Sequence, residues 1–117
     1  MKHQQQSLEL LHSMCSEQLS QRVKMGDHLE VPREVDHTAY FAKRVDAQAA
    51  ADDLSKQGFK VSVSRRGFGS FALEAHITTD VEWDTVDNFV PKMFDLITSH
   101  HGVYDGWGGS VVLKDRE

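Results

Sequence analysis

Cysteine, proline and long apolar runs are all scarce in this chain of 117 residues. Cys15 is the single cysteine, so the chain can form no internal disulfide and has no thiol framework for a structural zinc ion. No apolar run approaches the roughly 18 residues that span a bilayer, and the first residues contain no continuous apolar core like that of a signal peptide. We therefore expect a cytoplasmic protein without a membrane partner.

Positive charge is scarce as well. The chain has 13 Lys and Arg against 18 Asp and Glu, which gives a formal net charge of −5. Phosphate backbones repel an acidic protein on average, so direct binding of nucleic acid would need a local basic patch. Lys60, Arg65 and Arg66 are the compact candidates. Direct contact with nucleic acid is therefore not the expected function.

The familiar motifs of catalysis are also missing. The sequence contains no phosphate-binding loop, no nucleophile elbow and no paired cysteines. Asp36 and His37 are adjacent in a predicted strand, so their side chains point to opposite faces and cannot form an orienting pair. His100 and His101 are adjacent at a predicted helix end, a poor spacing for two ligands on one helix face. We expect no catalytic residue, no metal site and no cofactor.

The first periodic segment predicts an amphipathic helix over residues 5–25 that ends at Gly26. Its predicted apolar face consists of Leu8, Leu11, Cys15, Leu19 and Val23. Such a face needs a partner, and two candidates stay open: the exposed face of a sheet, or the same surface of a second copy in a homodimer. The sequence does not choose between a monomer and a homodimer.

Period-two alternation predicts four strands in the rest of the chain. The first begins at Val35, and the next two begin at Phe59 and Phe71 and are joined by a glycine turn. The last follows Gly102 and consists of Val103, the segment YDGWGGS and residues 111–113, and it is predicted to carry a glycine bulge. In the third strand Phe71, Leu73, Ala75 and Ile77 are predicted to face the core.

Two further helices separate these strands. One begins after the N-cap Asp46 and ends at Gly58. The other begins with a capping box at Thr79 or a cap at Asp80, and its apolar stripe continues through Pro91 towards His100.

The order strand, helix, strand, strand, helix, strand predicts an α+β fold. Specifically, it predicts a ferredoxin-like βαββαβ sandwich with an additional N-terminal helix. We expect one structural domain overall, with the N-terminal helix in residues 1–25 and the ferredoxin-like domain in residues 26–117.

The segment RRGFGSFAL (residues 65–73) is similar to the strand by which RNA-recognition domains stack on bases. However, its serine shifts Phe71 by one residue and therefore to the core face. The opposite face then presents Asp36 and Glu74, which repel phosphates, and Tyr40 as its one stacking ring. An RNA-binding module that uses an RNA-recognition-like sheet and the Arg65–Arg66 hairpin is the alternative function.

Carboxylates crowd the start of the last predicted helix, around Trp83. They belong to Asp80, Glu82, Asp84 and Asp87. Two interpretations stay open for this group. The carboxylates stabilise the positive dipole end of the helix, or they form an acidic patch that steers a basic segment of a protein partner, with exposed Trp83 as an anchor.

A second candidate surface for a partner is the block Tyr104, Asp105, Gly106 and Trp107. Gly106 permits a tight turn or bulge, and Asp105 can bind nearby backbone amides. The two aromatic rings can cover an edge of the core, or the whole block can form an exposed platform for a partner.

Two stretches resemble the RraB family, the protein regulators of ribonuclease E activity. In GDHLEVPREVDHTAYF (26–41) a proline-containing lead precedes Asp36 and His37, and GVYDGWGGSVV (102–112) contains the distinctive Tyr-Asp-Gly-Trp block. With the strand GFKVSVS, the resemblance spans about residues 8–113. It implies a bacterial, non-enzymatic, ferredoxin-like regulator domain. Such a protein binds a ribonuclease E-like endoribonuclease, chiefly its non-catalytic scaffold region, and so reduces or redirects RNA cleavage.

Overall fold

The computed structural model describes residues 8–113, which form three helices and a four-stranded antiparallel sheet. In chain order the elements are α1 (Leu8–Lys24), β1 (Arg33–Phe41), α2 (Arg44–Lys56), β2 (Lys60–Arg65), β3 (Phe71–Thr79), α3 (Trp83–Ser99) and β4 (Val103–Gly109). The sheet order is β2-β3-β1-β4. The α+β class predicted from the sequence is confirmed, while the predicted helix start at residue 5 lies outside the described residues.

Strict alternation along β1 and β3 gives the sheet two different faces. On the buried face, Val35, His37, Ala39 and Phe41 of β1 lie opposite Ile77, Ala75, Leu73 and Phe71 of β3. The open face carries Glu34, Asp36, Thr38 and Tyr40 of β1 and Ala72, Glu74 and His76 of β3. The predicted inward orientation of Phe71 and its alternating companions is therefore confirmed.

Helices α2 and α3 cover the buried face. Their buried residues are Ala47, Ala50, Ala51 and Leu54 in α2, and Val86, Val90, Met93 and Ile97 in α3. Burial of each Val, Leu, Ile or Met side chain in this layer favours folding by about 1.5–3 kcal/mol, relative to the same side chain exposed to water. Helix α3 continues through Pro91, as predicted, whereas α2 begins at Arg44 after the N-cap Lys43. Asp46 is therefore not the N-cap but lies in the first turn, where its carboxylate still favours the helix dipole.

Helix α1 packs against α3. Its buried residues are Leu11, Cys15, Leu19 and Arg22. Val23 is 51% exposed, so its predicted place on the apolar face is wrong. Arg22 lies there instead, because its long stem packs on the protein while its guanidinium reaches the carboxylate of Asp27. The buried face of α1 is thus covered by α3 of the same chain, and neither the open face of the sheet nor a second copy is needed to cover it.

The last strand begins at Val103 and carries a bulge, as predicted, but it ends at Gly109, earlier than predicted. The segment YDGWGG is itself part of β4, and residues 111–113 follow the strand, with one isolated bridge from Leu113 to Asp27. The bulge places the inward residues Tyr104 and Trp107 three positions apart, where regular alternation would put them two apart. Among the described residues, no helix is long and apolar enough to cross a membrane.

Candidate partner-binding surface

A groove of about 410 Å³ lies between the start of α3 and the connector from α1 to β1. We call it the acidic groove. Its lining residues are Asp27, His28, Leu29, Glu30, Glu82, Trp83 and Asp84. The amide of the buried Val81 donates a hydrogen bond of 2.9 Å to the carbonyl of Leu29 and so joins the two walls. The walls of the acidic groove are therefore tied to each other by backbone contact.

Three of the residues predicted to bind a partner meet in the acidic groove. Glu82 and Asp84 are exposed, and Trp83 is 41% exposed between them. Glu82 occupies the N-cap position of α3, but its side chain makes no capping hydrogen bond. Neither Thr79 nor Asp80 is the N-cap, so that prediction is wrong, because the chain stays extended until the carbonyl of Glu82 accepts the first helical bond. The carboxylates of Glu82 and Asp84 remain exposed to solvent.

The other two predicted carboxylates lie outside the lining of the acidic groove. Asp80 is half-buried, and its Oδ1 atom is buried without a hydrogen-bond partner among the described residues. Asp87 is exposed and accepts a hydrogen bond of 3.1 Å from Nε2 of His12 on α1. Asp87 therefore faces α1, and Glu82, Trp83 and Asp84 form the α3 wall of the groove.

Sequence reasoning missed the opposite wall of the groove. The sequence predicts no partner-binding role for His28, Leu29 and Glu30, yet they line the groove directly. His28 Nδ1 lies 3.6 Å from a carboxylate oxygen of Glu30, and Glu30 is exposed. The alternation of acidic and apolar residues in DHLEV was the available signal, but nothing in it indicates that this stretch packs beside the start of α3.

The position of the connector depends on Asp27, whose buried carboxylate binds two arginines. Arg22 Nη1 donates to it at 3.1 Å, and Arg33 Nη1 donates to both of its oxygens at 2.8 Å. The amide of Val112 donates to it as well, at 3.2 Å. Burial alone would raise the pKa of Asp27, but the bonds from Arg33, Val112 and Arg22 outweigh it and hold the pKa below its usual value.

The second positive charge in this cluster is balanced by backbone carbonyls. Arg22 Nη2 donates to the carbonyl of Gly109 at 2.8 Å, and Arg33 Nη2 donates to the carbonyl of His28 at 2.8 Å. Burial of a charge without such partners would cost free energy. These bonds therefore fix the position of the connector relative to the end of β4. Asp27 is consequently not available to attract a partner, and the accessible acidity of the groove comes from Glu30, Glu82 and Asp84.

The Tyr-Asp-Gly-Trp block lies mainly in the core. Tyr104 is 1% exposed and Trp107 is 9% exposed. The indole Nε1 of Trp107 donates to the sulfur of Cys15 at 3.4 Å, and the guanidinium of Arg22 lies 5.1 Å from the ring centroid. These contacts fasten α1 to β4 and favour the structural interpretation of the block over an exposed platform.

Asp105 and Gly106 have a different role in this block. Asp105 is the exposed bulge residue, because Thr38 pairs with Gly106 and Ala39 pairs with Tyr104. Gly106 has a φ of 120°, a conformation that side chains rarely adopt. Asp105 is therefore the exposed carboxylate of the block, on the side of β4 away from the packed rings.

His37 is a hydrogen-bonded core residue. It is 1% exposed, its Nδ1 lies 2.8 Å from the hydroxyl of Tyr104, and its ring packs edge-on against Phe59 and Phe89. Burial lowers its pKa to about 4, although the nearby carboxylate of Asp36 opposes this shift. The imidazole is thus neutral near pH 7 and serves packing.

The β2–β3 hairpin carries the residues considered for RNA binding. Phe68 at its tip is fully exposed, and the guanidinium of Arg66 lies 4.4 Å from the ring centroid of Tyr40. Phe71 pairs with Phe41 on the buried face. Phe68, Phe71 and Tyr40 therefore do not form one stacking surface, because Phe71 faces the core and Arg66 covers Tyr40.

Comparison with known proteins places these features in a family. Among curated proteins no significant match was found. The family model described as Regulator of ribonuclease activity B matches residues 13–109, a segment that runs from within α1 to the end of β4 and includes both the Asp36–His37 stretch and the Tyr-Asp-Gly-Trp block. Because this match covers most of the chain, the protein belongs to the RraB family.

Proposed function

We propose that the protein is a non-enzymatic, cytoplasmic regulator that binds a ribonuclease E-like endoribonuclease, chiefly at its non-catalytic scaffold region. Binding would reduce or redirect RNA cleavage by the enzyme. Membership of the RraB family supports the regulation of ribonuclease activity. The strand order β2-β3-β1-β4, antiparallel throughout, supports the assignment of the domain as ferredoxin-like.

The observation that carries the choice of surface is the acidic groove. A basic segment of the partner would place a Lys or Arg side chain on the exposed ring of Trp83. Glu30, Glu82 and Asp84 surround this position and would pair with neighbouring positive charges. The walls are joined by the Val81–Leu29 hydrogen bond, so little ordering of the groove is needed on binding.

A pulldown from bacterial extract with the full chain as bait tests the identity of the partner. We expect a ribonuclease E-like protein to be retained at low salt and lost as salt rises, because contacts between exposed charges are screened. If no ribonuclease is retained at low salt, the proposed partner is wrong. Retention of RNA alone, sensitive to the change of Arg65 and Arg66 to alanine, would support the RNA-binding alternative instead.

Charge reversal in the acidic groove tests the location of the site. The double variant Glu82→Lys and Asp84→Lys should slow association with the purified ribonuclease by about tenfold or more and reduce its dependence on salt. The matched control is Asp52→Lys with Asp95→Lys, which changes the same total charge at exposed positions of α2 and of the later part of α3. Equal slowing by both pairs would show that net charge, and not this groove, determines the rate.

A further inference from the structure

The open face of the sheet brings together three potential metal ligands. Asp36 in β1 lies directly opposite His76 in β3, and Glu34 lies two residues before Asp36, on the same face. One ligand atom from each of Glu34, Asp36 and His76 lies within 4.8 Å of the other two. The antiparallel pairing of β1 and β3 imposes this arrangement, so the donors are carried by neighbouring backbone positions in the middle of a sheet.

An imidazole distinguishes this group from an ordinary acidic surface. His76 Nδ1 lies 2.5 Å from Oδ1 of Asp36, which is hydrogen-bond distance. His100 forms a similar contact with Asp53, at 2.7 Å. Within residues 8–113, however, the His76 pair is the one joined by a third ligand residue at this distance.

We propose that Glu34, Asp36 and His76 form a binding site for a divalent transition-metal ion of the Zn²⁺ or Mn²⁺ type. One imidazole nitrogen and two carboxylates supply three ligands and leave the remaining coordination positions to water. The imidazole disfavours Mg²⁺ and Ca²⁺, which prefer oxygen ligands alone.

Two neighbouring charges on the open face modify this site. Glu74 lies in β3 with its carboxylate 3.9 Å from Nε2 of His76 and adds negative charge. Lys60 in β2 is paired with His76 from the other side, and its ammonium group competes with a bound cation. Affinity should therefore rise in Lys60→Gln and fall in Glu74→Gln, although neither residue belongs to the ligand set.

Calorimetric titration of the full chain with ZnCl₂, MnCl₂ and MgCl₂ tests the proposal. We expect one saturable site for Zn²⁺ and for Mn²⁺, with much weaker binding of Mg²⁺. His76→Gln and Asp36→Asn should each weaken binding by about tenfold or more, whereas the matched control His100→Gln should leave it unchanged.

Paramagnetic broadening by Mn²⁺ in NMR spectra locates the site without reliance on variants. Amide signals near residues 34–36 and 74–76 should broaden first, and those near residues 53 and 100 should not. The proposal is overturned if no saturable binding occurs up to about 1 mM metal. It is also overturned if His76→Gln binds as tightly as the wild type, or if Mg²⁺ binds as well as Mn²⁺, which would indicate an acidic surface only.

Discussion

Asp36 and His37 are neighbours in β1, yet they lie in opposite environments. His37 is 1% exposed, neutral near pH 7 and packed between aromatic rings. Asp36 is exposed and hydrogen-bonds to His76 across the open face of the sheet. Adjacent residues of this strand thus point to opposite faces, so His37 stabilises the core while the side chain of Asp36 is accessible to a ligand. The buried face should tolerate few changes, and the open face should tolerate many.

The largest loss of stability should follow removal of the carboxylate from the buried cluster of Asp27, Arg22 and Arg33. Asp27→Ala leaves Arg22 and Arg33 buried without their carboxylate, and we expect the free energy of unfolding to fall by about 3–5 kcal/mol. Urea denaturation measures this loss. The control Glu30→Ala removes an exposed carboxylate from the same connector and should change stability by about 0.5 kcal/mol or less. Similar losses in the two variants would contradict the structural role assigned to Asp27.

His37 should make the stability of the protein depend on pH. Its folded pKa of about 4 lies below its ordinary value of 6.5, so between these values the unfolded chain binds the proton first. Stability should therefore be unaffected above pH 6.5, fall by about 3 kcal/mol as pH drops to about 4, and then level off with respect to this group.

Urea denaturation at a series of pH values tests this dependence. His37→Leu should remove most of the fall between pH 6.5 and about 4, whatever its stability at neutral pH. The pKa of Asp27 is lowered from its ordinary value of 3.8, so most of its contribution is lost below that pH and overlaps only the acid end of the range in which His37 acts. An unchanged slope in His37→Leu would assign the fall to other groups.

A smaller effect is expected where the buried face meets the turn before β4. A Cβ at Gly102 would overlap the ring of Phe41, which is itself buried and cannot move away easily. Gly102→Ala should therefore destabilise the protein by about 1–3 kcal/mol. Gly108→Ala is the control, because a Cβ there has no neighbour within 4 Å. In thermal or urea denaturation, Gly102→Ala should be clearly less stable than Gly108→Ala. Equal stability of the two variants would show that the side chains around Phe41 shift to accommodate the added methyl group.

The smallest effect should come from the open face. Asp36→Asn and His76→Gln remove an exposed contact, and we expect each to change stability by about 1 kcal/mol or less. Because the variants should stay folded, a difference between their metal affinities and that of the wild type would report on the site itself. A loss as large as that in Asp27→Ala would show that the open face also holds the fold together.

Most of the fold was predictable where the pattern was regular. The alternation of Phe71, Leu73 and Ala75 gave the correct face of β3, and the helical stripe around Pro91 gave a continuous α3. These patterns follow from the side-chain geometry of one helix or one strand, so they can be recognised in the sequence of that segment alone. The α+β class follows from their order.

The misses arise where the structure departs from a regular period or depends on packing between distant segments. A bulge in β4 was predicted, but the end of β4 at Gly109 was not, and Arg22 is buried because its guanidinium binds Asp27. The wall of the acidic groove around His28 and the contact between Asp36 and His76 depend on how distant segments pack. Neither the groove nor the cross-strand register can be derived from one segment at a time.

The cluster around Asp27 also limits how early the chain can complete its folding during synthesis. Its bonds to Arg22, to the amide of Val112 and, through Arg22, to the carbonyl of Gly109 join groups up to 87 residues apart in the sequence. A ribosome-bound chain cannot complete them until Gly109 and Val112 have emerged. Nascent chains that stop short of β4 would therefore lack the Gly109 carbonyl that binds Arg22, the Val112 amide that binds Asp27 and the Trp107 ring that contacts Cys15 of the first helix. They should be recognised by chaperones or proteases far more readily than the finished protein.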